Sequence, residues 1–259
     1  MTTGRTNTQK YSRVYVDGYD LSGYSRSIGP LSCTFEEGID DAITLSVKQV
    51  WPGNAVISAG VLNGIYDNTA TTGLHALMSG AGVKRNLMVP IGIQAVPANN
   101  DPVFCGQFLQ GAYISGPDGN PVTVSIPFNQ ASALSANLQY AIPWGALLHA
   151  NAAATAANTA AGLDQLAQSL KGGWMMYQVF AAAGTGSKTA TIKVQHADTN
   201  TDGSFADLLS SGEINCAAGV SGVVQLEPGT TVERYVRWQL ALNTATSVTF
   251  ALAFMRNYI

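Results

Sequence analysis

Four acids crowd into six residues, Glu36, Glu37, Asp40 and Asp41, and no Lys or Arg lies between Arg26 and Lys48. Neighbouring carboxylates are the minimum equipment for general acid–base chemistry, provided their surroundings push their protonation apart. No aromatic sugar platform accompanies these four, so the segment reads as a solvated acidic loop. Asp198-Thr-Asn200-Thr-Asp202-Gly203 places oxygens at alternate positions before a Gly, the first half of a calcium loop. That chemistry needs a bidentate Glu at the twelfth position, which here is Leu209, and flanking helices. Gly184-Thr-Gly186-Ser-Lys188-Thr189 holds the residue types of a phosphate loop without the contiguous Gly-Lys-Thr order, and Thr189 opens a strand pattern. Both segments read as hairpin loops. His75, His149 and His196 lie far apart with no ligand spacing, and no Gly-x-Ser-x-Gly elbow is present. The sequence therefore predicts no enzyme, no cofactor and no metal site.

What remains is a scaffold pattern. Val236, Trp238 and Leu240 alternate, as do Val248, Phe250, Leu252 and Phe254 after the turn at 243–247. A period of two is the mark of half-buried antiparallel strands. Asp17-Gly18 predicts a tight hairpin between short strands. Further strands are expected at Leu31–Phe35, Ile43–Lys48, Ile57–Ile65, Leu87–Gln94, Val103–Tyr113 and Val122–Phe128, with Trp51–Asn54 as a break. A second block is expected at Trp174–Ala181, Thr189–His196, Gly222–Leu226, Glu233–Leu242 and Val248–Arg256. One short helix is predicted over Thr71–Ser79, capped by Thr72, with Leu74, Leu77 and Met78 as its apolar stripe. Leu163, Leu166 and Leu170 are spaced for two helical turns.

Charged residues make up 11% of the 259, against about 25% in ordinary soluble domains. So few charges suit a surface that neighbours cover; a secreted or glycosylated domain is the plainer alternative. Net charge is −3, and neither half of the chain is basic, which argues against a tight grip on nucleic acid. Cys33, Cys105 and Cys216 are odd in number and widely spaced, so buried thiols are expected rather than disulfides. Met1–Lys10 is polar, which predicts no leader, and no apolar run is long enough to span a membrane.

Three segments carry a resemblance. Arg13-Val-Tyr-Val-Asp-Gly-Tyr-Asp-Leu-Ser-Gly-Tyr24, Ile57-Ser-Ala-Gly-Val-Leu-Asn-Gly-Ile-Tyr-Asp67 and the helix around His75 resemble the tail tube proteins of tailed bacteriophages. Lys193–Asp198, Val232–Arg237 and Val248–Phe254 are similar to the second half of longer members. The resemblance implies an all-β chain: a tail-tube-like β-barrel or sandwich with one flanking helix over 13–150, and a second sandwich-like domain over 172–259. A flexible arm (1–12) and an Ala-rich linker (151–171) complete the expected division; seven of the eleven residues in 151–161 are Ala.

It further implies hexameric or pseudo-sixfold trimeric rings, stacked as a tube in the virion tail. Such rings assemble in the host cytoplasm, with other tail proteins as partners and DNA passing through unheld. Glu36, Glu37, Asp40, Asp41, Lys48 and Trp51 then become a candidate lumen or inter-ring segment. Two other readings stand beside this one. The first is a different virion β protein, a capsid decoration or minor tail protein. The second is a carbohydrate- or partner-binding module using Trp51, Trp144, Trp174 or Trp238.

Overall fold

The computed structural model describes residues 9–40, 49–93, 95–116, 121–130, 142–216 and 219–257. The fold is all-β. In chain order the strands are β1 (Tyr15–Val16), β2 (Tyr19–Asp20), β3 (Ser25–Gly29), β4 (Ser32–Asp40), β5 (Gln49–Ser58), β6 (Val61–Ile65), β7 (Lys84–Pro90), β8 (Pro102–Gln110) and β9 (Ile114–Gly116). They continue as β10 (Thr123–Gln130), β11 (Trp144–Ala154), β12 (Leu163–Asp164), β13 (Gly173–Ala183), β14 (Thr189–Ala197), β15 (Ala206–Asn215), β16 (Val220–Gln225), β17 (Tyr235–Leu242) and β18 (Ser247–Arg256). The single α-helix among the described residues, α1, is Leu74–Met78. No helix among the described residues is long and apolar enough to cross a membrane.

One twelve-stranded antiparallel sheet runs β16-β13-β18-β11-β8-β10-β6-β3, with β7 beside β8, the β1–β2 hairpin beside β7 and β9 beside β10. A four-stranded sheet, β12-β17-β14-β15, lies over one part of it, and β4–β5 stands as a two-stranded sheet of its own. The large sheet curls, so its two faces serve three cores. Val248, Phe250, Leu252 and Phe254 of β18 face Ile192, Val194, Val236 and Leu240 of the smaller sheet, a sandwich. The intervening Ala251, Ala253 and Met255 pack with Trp174 of the adjacent β13 and with Tyr15, Met88 and Cys105. Both faces of β18, an interior strand between β13 and β11, are buried. The third core, with Leu62, Phe104, Phe108, Ile126 and Phe128, fills the N-terminal half-barrel, and Leu74 and Met78 of α1 pack into it.

The Asp17-Gly18 turn has positive φ at both residues (50° and 82°), the geometry of a type I′ hairpin. Arg85 fixes it: its Nη1 pairs with Asp17 Oδ2 at 3.1 Å while its Nη2 donates to the Leu77 carbonyl at the end of α1.

Several expectations change. The helix starts at Leu74 with Gly73 as N-cap and no side-chain cap, because Thr71 takes φ 67° and cannot lead into a helix. Leu163–Leu170 is not helical: Leu163 and Asp164 pair with β17, and Leu166, at φ 72°, is exposed. Trp51–Asn54 does not break the chain but lies inside β5. Pro52 stands opposite Glu37 beside a register shift, on a hairpin that pairs with no other strand among the described residues, the kind of edge position where a strand tolerates Pro. Ile57–Ile65 is two strands instead of one. Gly60, at φ 61°, turns the chain where a Cβ would stand 2.2 Å from the Gly29 carbonyl carbon.

The 150/151 boundary falls inside β11, and the Ala-rich stretch opens as a strand whose Ala152–Ala154 pair with β18 after a register shift. Of the expected arm, Gln9–Tyr11 forms a 3₁₀ turn and Ser12 bridges to Ile91; residues 1–8 lie outside the described ones. The strand expected at 43–48 also lies outside them.

Candidate functional site

The acidic segment is one strand of the β4–β5 hairpin. Register places Glu37 opposite Pro52, Gly38 opposite Trp51 and Asp40 opposite Gln49. Glu36, Glu37, Asp40 and Trp51 are thus brought onto one ribbon; Asp41 and Lys48 lie outside the described residues. Between the pairs Phe35–Ala55 and Glu37–Pro52, two residues of β5 oppose one of β4, a bulge that adds local twist. At its base the ribbon is anchored by Ile57, which is buried, and by Cys33, packed against the N-terminal core; burial pushes the Cys33 thiol up. Beyond that anchor Phe35 and Val56 are 40% and 42% exposed, and Glu36 is exposed. The ribbon presents Glu36 together with Phe35 and Val56 on a segment that pairs with no other strand among the described residues.

The remaining residues of chemical interest are occupied in holding the fold. Asn200 bonds the Gly162 N–H (2.7 Å) and carbonyl (3.2 Å), and Asp202 pairs with Arg237 at 2.6 Å. Residues 184–188 are the β13–β14 turn, with the Lys188 carbonyl accepting from Cys216 N–H. His75 Nδ1 lies 3.1 Å from the Tyr113 hydroxyl, and His196 Nδ1 accepts the Glu233 N–H. His149 is buried, stacked on Phe250 at 4.1 Å and edge-on to Trp238. Trp174 is buried and donates to the Ile142 carbonyl; Trp144 is partly exposed, edge-on to Phe104.

One cluster has no signal in linear spacing. Lys10, Arg13 and Arg26 line a cleft of about 530 Å³ between the N-terminal segment, β3 and β7. Positions 10, 13 and 26 fit neither a helical nor a strand period. They meet because β3, the last strand of the large sheet, runs past the chain's own start.

No family model and no curated protein matches this sequence. Among solved structures it is similar to the crystal structure of the SPP1 Dit (gp 19.1) protein, titled a paradigm of the hub adsorption apparatus in phages infecting Gram-positive bacteria. Identity is 12% and the TM-score 0.31, with 96% of this chain and 99% of that chain covered.

Proposed function

We propose that this chain is a structural protein of a phage tail and, more finely, a subunit that assembles with copies of itself into stacked rings forming the tail tube. The observation that carries the reading is the β4–β5 ribbon. A two-stranded hairpin is marginal alone in water, yet this one has strands of nine and ten residues and stands off as its own sheet. At about 3.3 Å per residue it is about 30 Å long. Its exposed Phe35 and Val56 and its open edges are a liability in a lone molecule and a binding surface in an assembly. Copies related by rotation would cover that ribbon and the β3 margin in a closing, head-to-tail contact.

The low charge of the chain agrees, since most of a tube subunit's surface meets other subunits. Acids on the ribbon, at the lumen or between rings, repel phosphate and let DNA slide where a basic wall would hold it. Negative-stain electron microscopy of the purified protein tests the reading. Rings or tubes with a central channel are expected; a monodisperse monomer at every concentration would overturn it. Asp40→Lys with Asp41→Lys is expected to alter tube assembly or DNA passage, and particles normal in form and infectivity would remove the acidic ribbon from the proposal.

A further inference from the structure

We infer that the cleft between the N-terminal segment, β3 and β7 binds a small phosphorylated polyol, its phosphate held by Arg13 and Arg26 and its hydroxyls by the serines around them. The cleft is donor-rich. Arg26 has no partner among the described residues, and it is exposed at the rim. Arg13 uses only Nη1 within the protein, on the carbonyls of Lys10 (2.8 Å) and Ser12 (3.0 Å), which fixes the guanidinium and leaves Nε and Nη2 to donate. A planar guanidinium offers parallel N–H bonds that match phosphate oxygens. Lys10 adds a third positive charge at the same mouth.

Two of the serines are likewise left with a proton to donate. Ser22 Oγ accepts the Val14 N–H at 2.9 Å and Ser27 Oγ accepts from Asn63 Nδ2 at 3.2 Å, so each has its own O–H left to give. Ser25 donates to the Leu21 carbonyl and keeps an acceptor lone pair. Donors and one acceptor together suit alcohol groups, which both give and take. Among the described residues no Asp or Glu lines the cleft. The nearby Asp20 carboxylate is taken by the Ser22 N–H and Asn151. Val14, Ile28, Leu31, Val89 and Ile91 form an apolar floor that suits a carbon skeleton.

Size and lining select the ligand class. A volume of about 530 Å³ lies within the range of small-molecule sites. A nucleic acid duplex is too wide for it, and no aromatic ring among the described residues lines it to stack a base.

The inference goes beyond the assembly reading and does not depend on it. Glycerol 1-phosphate titrated calorimetrically into the full chain at low salt should bind at one site per chain, more tightly than inorganic phosphate, with glycerol alone giving no heat. Glycerophosphoglycerol, run alongside, separates sources: a tighter monoester assigns a free phosphate ester, a tighter diester a polymer unit. Arg26→Glu, which removes no internal bond, should keep the wild-type melting curve and weaken binding by about tenfold or more. Absence of saturable heat, or wild-type affinity in Arg26→Glu, would overturn the site. Equal affinity for inorganic phosphate would overturn the polyol assignment. Loss of assembly in Arg26→Glu without any ligand heat in the wild type would overturn it too, giving the cleft to a neighbouring copy's carboxylate.

Discussion

Gln178 is fully buried on β13, and its Nε2 donates to the Asn86 carbonyl on β7 at 3.0 Å, across 92 residues of chain. Its Oε1 accepts the Gly18 N–H in the hairpin turn, and Asn86 Nδ2 in turn donates to Ser221 Oγ on β16 at 2.8 Å. No strand pairing joins β13 or β16 to β1, β2 or β7, so these side chains close the curl of the large sheet. Gly18 is required at this join: a Cβ there would stand 2.5 Å from the Val220 nitrogen and 2.7 Å from the Val179 carbonyl oxygen.

Gln178→Leu keeps the volume and removes both bonds; the Asn86 carbonyl still accepts the Asp17 N–H, so it is the buried Gly18 N–H that is left unsatisfied. At about 1–3 kcal/mol for such a group, the expected loss is about 1–3 kcal/mol. Urea unfolding followed by circular dichroism measures it. Because the bonds join the first twenty residues to the C-terminal block, the transition should also broaden as the two ends uncouple; a wild-type midpoint would show that the curl closes without Gln178.

Arg237 and Asp202 pair at 2.6 Å but sit in unequal surroundings, the arginine side chain 5% exposed and the carboxylate 58%. Arg237 also donates from Nε to Gln195 Oε1 and from Nη1 to the Ala160 carbonyl, and it stacks over the Phe205 ring at 4.2 Å. Asp202→Asn should therefore cost about 1 kcal/mol or less, as for exposed pairs. Arg237→Ala should cost about 3 kcal/mol, and Arg237→Lys should recover little of it, since an ammonium cannot serve the fork and the ring together. Chemical denaturation of the three variants decides this.

Burial holds the His149 imidazole below its ordinary range, outweighing the carbonyl bonds from Phe250 and Ala150 that favour its charged form; burial lowers His196 as well. A depressed pKa means that the folded protein binds fewer protons than the unfolded chain. The stability from these groups is thus present above about pH 6.5 and is lost as pH falls through their folded pKa values. Thermal midpoints measured from pH 8 down to 5 should drop on the acid side. His149→Phe, which keeps the stack on Phe250, should flatten part of that drop and leave the remainder to His196; an unchanged slope would remove His149 from the account.

Strands that alternate plainly were legible from their residues: β10, β17 and β18 fall close to where Val122–Phe128, Glu233–Leu242 and Val248–Arg256 place them. β11 and β15 were not. β11 ends in Asn and Ala, which carry no period, and its strand state is imposed by pairing with β18. β15 is mostly exposed, so burial wrote no alternation into it. The leucines at 163, 166 and 170 show the reverse error, since Leu166 and Leu170 are 82% and 61% exposed and their spacing reflects no buried face. The acidic ribbon was visible as charge but not as a ribbon, because Pro52-Gly53-Asn54 reads as a break wherever the outer strand edge is unknown. The basic cleft was invisible because three unrelated segments supply it.

The ribbon yields the last prediction. Thr34 and Val56 are paired, as are Phe35 and Ala55, so Val56 and Phe35 point to opposite faces of the hairpin just beyond its anchored base. In a lone molecule neither is well covered, and replacing them removes little buried area; Phe35→Lys with Val56→Lys should leave the melting temperature of the dispersed subunit within a few degrees of wild type. In an assembly both faces meet neighbours, and two ammonium groups placed there would have to be desolvated without partners. Sedimentation velocity should then show the assembled species replaced by the single subunit, with restored assembly in Phe35→Leu with Val56→Ile. If the lysine variant assembles as the wild type does, the ribbon is not where copies of this chain meet. If both lysine and apolar variants unfold, Phe35 and Val56 hold the subunit's own fold together and not its assembly.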